Sequence, residues 1–143
     1  MSYASMSNDI SHYKQVDRVS GVTDADPHRL VQMLLEGALG KIAVVKGLIK
    51  RKEIAQKGEM ISQTISIIGG LRASLDLSAG GEIAANLDSL YDYISRRLLE
   101  ANMKNDEAIL DEVAVLLYEI KGAWDAIPVE SRKKSAPELS AAS

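Results

Sequence analysis

The stretch NDEAILDEVAVLLYEIKGAWDAIP, residues 105–128, decides how this chain folds. Leu110, Val113, Leu117, Ile120 and Trp124 recur in alternating steps of three and four, which places one unbroken apolar seam along an α-helix. Asp106 can accept hydrogen bonds from the free amides at the helix start, and Pro128 ends the run. A helix of this length is marginal alone in water, so the seam calls for partners.

Working outward, three more segments carry the same period. In TDADPHRL, Asp26 and Pro27 form a helix start, and Leu30, Leu34, Ala38, Ile42, Val45 and Ile49 follow on one face to about Lys52. Ile54, Gly58, Ile61, Ile65, Ile68 and Leu75 mark a second helix to about Asp76, and LSAGGE then reverses the chain. The third runs from Glu82 along Ile83, Leu87, Leu90, Tyr91, Ile94, Leu98 and Ala101 until NMKND. The spacing therefore predicts helices over 27–52, 54–76, 82–104 and 106–127. Short turns between similar helices make the expected fold all-α, an antiparallel up-down four-helix bundle occupying 19–127. Residues 1–18 are expected to form a mobile cap, because Ile10, Tyr13 and Val16 give only one or two amphipathic turns. Residues 128–143, rich in Ser, Ala and Pro, are expected to be a disordered tail.

Composition narrows the function. The 143 residues are 46% apolar, enough for one domain with a single core. Seventeen basic residues against 20 acidic ones give a net charge of −3, which offers no positive field for nucleic acid. The cluster Lys50, Arg51, Lys52 reads as the cationic end of a helix opposing its dipole. There is no cysteine, which points to the reducing cytoplasm, and no apolar run long enough for stable membrane insertion or basic-apolar leader is apparent.

Catalytic motifs are not evident. The two imidazoles, His12 and His28, have no obvious nucleophile partner. TDADPH resembles a ligand run, but helix capping explains Asp26 without a metal, and GALGK lacks the spacing of a phosphate loop. No Glu-x-x-His occurs to hold a di-iron centre, so no cofactor is expected. A histidine phosphotransfer bundle would need a mid-helix imidazole, and His28 opens its helix.

Surplus apolar surface is the informative feature. At ~100° per residue, Met60, Ile67 and Leu71 form a second seam beside the stripe of helix two. Met33, Leu39 and Val44 widen the arc of helix one, and Tyr93, Leu99, Val115 and Tyr118 flank the stripes of helices three and four. Such seams suit an adaptable peptide-binding surface. They suit equally a self-associating helical assembly protein, the alternative reading.

The runs ISHYKQV, DPHRLVQMLLEGAL, LDLSAGGEIAANLDSLYDYISRRLLEANMKND and EVAVLLYEIKGAWDAI resemble the flagellar secretion chaperone family FliS, with compatible spacing over about residues 2–127. The resemblance implies a cytoplasmic helical bundle without enzymatic activity that binds the C-terminal region of flagellin until export. It also implies docking to the cytoplasmic domain of the export-gate protein, and a role for the Ile-x-x-Tyr pair Ile10 and Tyr13. Helical geometry adds Met60, Ile67, Leu71, Tyr93 and Leu99 as expected client contacts, and a weak homodimer is compatible with the same seams.

Overall fold

The computed structural model of the chain describes residues 26–129. Four helices fill that span: α1 (Pro27–Lys50), α2 (Ile54–Ala73), α3 (Gly81–Lys104) and α4 (Glu107–Asp125). Each packs on two neighbours, in the order α1, α2, α3, α4 and back to α1, which is the square section of an up-down bundle. The all-α expectation holds. The cap expected at residues 1–18, with Ile10, Tyr13 and Val16, lies outside the described residues, as does the tail beyond Val129.

Local chemistry sets the helix ends. The Asp26 side chain accepts from Arg29 N at 3.1 Å with Pro27 in the first turn, and Asp106 accepts from Ala108 N at 2.9 Å. α1 stops at Lys50, two residues early, because Lys52 takes a left-handed φ of 59°. α2 ends at Ala73, where the Ser74 hydroxyl donates to Leu71 O at 2.7 Å. In the turn that follows, a Cβ on Gly80 would sit 2.7 Å from the Asp76 carbonyl oxygen, and Gly81 has φ +60°. Both positions thus require glycine.

Leu35, Ile42, Ile61, Ile68, Ile94, Leu98, Leu110 and Leu117 form the centre of the core. Two residues expected on core stripes face solvent instead: Ile54 opens α2 and Ile83 opens α3, where the neighbouring helices no longer cover them. Lys57 is buried, and its Nζ donates to Asn102 O at 2.9 Å and to the Asn105 side-chain oxygen. That pair of bonds fastens the end of α3 to α2. At the opposite end, Trp124 Nε1 donates to His28 O at 2.9 Å, and His28 Nε2 lies 2.8 Å from Trp124 O. A carbonyl only accepts, so Nε2 carries the proton. The two rings stack at 5.0 Å, and together these contacts clamp the first helix to the last.

Tyr91 packs inward at 3% exposure, and burial pushes its pKa up to about 12. No hydrogen bond reaches its hydroxyl among the described residues, although a buried hydroxyl ordinarily has one. An unpaired buried polar group costs about 1–3 kcal/mol. Tyr91→Phe is therefore expected to raise stability by roughly 1 kcal/mol in urea unfolding.

Candidate functional site

Between α1 and α4 runs an open groove of about 460 Å³. Glu36, Leu39, Gly40 and Ala43 line it from α1, with Tyr118, Lys121, Gly122 and Asp125 from α4. These positions share a surface because helical neighbours fall three or four residues apart. Tyr118 is 63% exposed, and exposed Val44 and Val115, each one turn from a lining residue, extend the apolar strip. The floor is low. A Cβ on Gly40 or Gly122 would meet nothing within 4 Å, so no contact inside the chain forbids a side chain there. Each glycine in a helix interior costs about 0.5–1 kcal/mol relative to alanine.

Ion pairs close the strip at both ends. At one end Lys121 pairs with Asp125 at 2.6 Å and Glu36 at 3.9 Å, while Arg29 pairs with Glu36 at 3.4 Å. At the other, Lys46 pairs with Asp111 at 2.6 Å and Lys50 with Glu107 at 3.7 Å. The hydrogen bond to Asp125 raises the pKa of Lys121, and the bonds from Lys121 and Gln32 hold Asp125 below its ordinary range. Exposed pairs of this kind add little stability. They do offset one another's charge, and Glu36, Lys121 and Asp125 line the groove itself beside its apolar residues.

The residues expected to bind a client do not converge on one place. Ile67, at 3% exposure, and Leu71, at 1%, belong to the core, which corrects their placement on a surplus seam. The reason is geometric. α2 packs on both α1 and α3, so its apolar face must be wider than the ~100° stripe of a helix with one partner, and the second seam is its side toward α1. Met60 lies half-buried against that same side, with its Sδ 3.9 Å from Lys41 Nζ.

Tyr93 is half-buried at the α3–α4 seam, where its hydroxyl donates to Glu112 at 2.6 Å. Arg97 donates to Glu112 at 2.8 Å and to Glu100 at 2.7 Å, completing a polar network. The bond to Glu112 raises the Tyr93 pKa, and the bonds from Tyr93 and Arg97 lower that of Glu112. Leu99 stands on the outer face of α3 at 53% exposure, one turn before exposed Met103. Ile10 and Tyr13 lie outside the described residues.

A family model described as Flagellar protein FliS matches residues 8–131. The chain belongs to the FliS family. It is 49% identical to the flagellar secretion chaperone FliSB of Pseudomonas aeruginosa over 82% of this chain and 94% of that one. It is 40% identical to the FliS chaperone of Vibrio cholerae over 94% of this chain and 98% of that one, and 44% identical to that of Salmonella typhimurium over 82% and 88%. Membership places the chain among flagellar export chaperones. Among the described residues of this FliS chain, no helix is long and apolar enough to cross a membrane.

The sequence did carry a signal for the FliS groove. Leu39, Val44, Val115 and Tyr118 all stand out as apolar residues beside the core stripes. Their convergence depends on α1 and α4 being neighbours, a property of the closed square that no single helix shows. Gly40 and Gly122 are the further clue, since glycine within a helical pattern carries a cost and invites a reason.

Proposed function

We propose that this FliS chain is a cytoplasmic chaperone that binds the C-terminal region of flagellin, prevents premature polymerisation and delivers it to the type III export gate. One observation carries the reading: a chain whose relatives are named flagellar secretion chaperones presents a groove, part apolar, that its own side chains leave open. A disordered client with amphipathic stretches lays apolar faces into such grooves in the helix-in-groove manner. Ordering the client costs about 2–5 kcal/mol or more, so several apolar patches must contribute. Leu99 with Met103 supplies a second patch, and Met60 and Tyr93 edge the helix seams. Ile67 and Leu71 serve the client indirectly, by holding α2 in place. Ile10 and Tyr13 are assigned to the same binding function through the Ile-x-x-Tyr pair. The cytoplasmic domain of the export-gate protein is the second partner.

The test is a titration of the full chain with a peptide of the flagellin C-terminal region, followed by calorimetry and light scattering. A chain monomer passing to a one-to-one complex is expected. A stable oligomer indifferent to the peptide overturns the reading in favour of self-association. Tyr118→Ala removes an aromatic wall of the groove, and anchors of this type dominate binding energy. It is expected to weaken the complex about tenfold, or ~1.4 kcal/mol, without unfolding the chain.

A further inference from the structure

We propose that residues 71–79 form a strap, hinged at Gly69 and Gly70 and again at Gly80 and Gly81 and latched by Arg72 to α3, which opens as a unit and uncovers the buried hydroxyl of Tyr91. This conformational device goes beyond the chaperone reading and stands whether or not a client binds.

The segment GGLRASLDLSAGG is bracketed by two glycine pairs. The first, Gly69 and Gly70, lies inside α2 one turn before its end at Ala73, where each glycine weakens the helix and the pair lets it bend. The second leads into α3, with Gly81 at φ +60°. Between the pairs the chain bonds to itself. The Ser74 hydroxyl donates to Leu71 O at 2.7 Å, Leu75 N to Arg72 O at 3.1 Å, and Gly80 N to Asp76 O at 2.7 Å. Bonds of that kind travel with the strap when it lifts.

The latch crosses to α3. Arg72 Nε and Nη2 donate to the two carboxylate oxygens of Asp88 at 2.8 and 3.2 Å, and Nη1 donates to Asp92 at 3.2 Å. The bond from Arg72 holds the Asp88 carboxyl below its usual range. The three side chains are 30–44% exposed, so water competes for the fork and it releases at modest cost. Leu71, buried in the core, is the apolar anchor that keeps the closed state dominant.

Tyr91 supplies the opposing push. The pairs Arg72–Asp88 and Lys57–Asn102 set the register of α2 on α3, which brings Tyr91 level with Gly69 and Gly70 at the first hinge. Water reaches its hydroxyl when the strap lifts, so the closed state carries a desolvation cost that the open state sheds. The strap also covers Ala84, which is buried where Gly80 packs on it. Glycine hinges, a solvent-exposed latch and an unsatisfied hydroxyl place this segment at the low-stability end of the bundle.

Amide hydrogen exchange of the full chain, read by NMR, tests the device with Tyr91→Phe and Arg72→Gln. In the parent, the amides of residues 71–75 are expected to exchange at least about tenfold faster than those in the middle of α2 and α3. Tyr91→Phe removes the hydroxyl that opening hydrates, and is expected to slow amides 71–75 about fivefold. Arg72→Gln removes the fork and is expected to quicken them about fivefold. Neither variant should change exchange at residues 102–106, at the far end of the bundle. Simple fraying of the helix end, with Tyr91 still covered, would leave these amides indifferent to Tyr91→Phe and overturn the proposal. It is equally overturned if amides 71–75 exchange as slowly as the middle of α2, if Arg72→Gln has no effect, or if residues 102–106 shift by the same factor.

Discussion

Leu71→Ala is expected to lower the stability of the free chain by about 2–5 kcal/mol, the range for emptying a well-packed leucine site. Leu71 is 1% exposed and packs within the central cluster, so its removal forfeits both apolar burial and the contacts of the atoms around the void. Urea unfolding should show the midpoint falling steeply with the slope unchanged. Leu99→Ala is the matched contrast, since that side chain is 53% exposed and its loss should stay within about 0.5 kcal/mol. The two leucines looked alike as seam residues. A small loss at Leu71 would mean that α2 does not pack on α1 as described.

Lys57→Met is expected to cost about 2–3 kcal/mol, although methionine fills much the same space and suits an apolar site better. The last carbonyls of a helix lack partners along their own chain, and here a lysine from another helix supplies one to Asn102 O. Its second bond holds Asn105, which has a left-handed φ of 53°. Removing Nζ leaves the carbonyl without its donor and releases the α3–α4 turn. Amide exchange should therefore quicken around residues 102–106 well before it changes at Ile94 or Leu117 in the centre. Uniform quickening throughout the bundle would show that Lys57 acts through packing alone.

The architecture was legible because each helix carries its own apolar stripe, and α1 and α4 also carry their own starts. Asp26 with Pro27 and Asp106 with its following amides are chemical signals that need no tertiary context. The α2 seams were harder, because a periodic pattern shows how much of a helix is apolar but not how many neighbours it will have. Ile67 and Leu71 looked surplus for one interface and proved necessary for two. Tyr93 was opaque for a different reason: its partner Glu112 lies on the next helix, and sequence spacing does not reveal that pairing. The groove residues were visible singly and became a site only when the first and last helices were placed side by side.

That adjacency also orders the way the molecule assembles. Three of the four seams join helices that follow one another through tight connections, but the seam between α1 and α4 ties His28 to Trp124 across 96 positions of chain. Distant closures pay more loop entropy and form late, so this edge is expected to act as the zip of the bundle, the last to shut. A guest lying along it would lock that zip, and a loaded chaperone should resist melting and proteolysis in proportion to how tightly it holds its cargo.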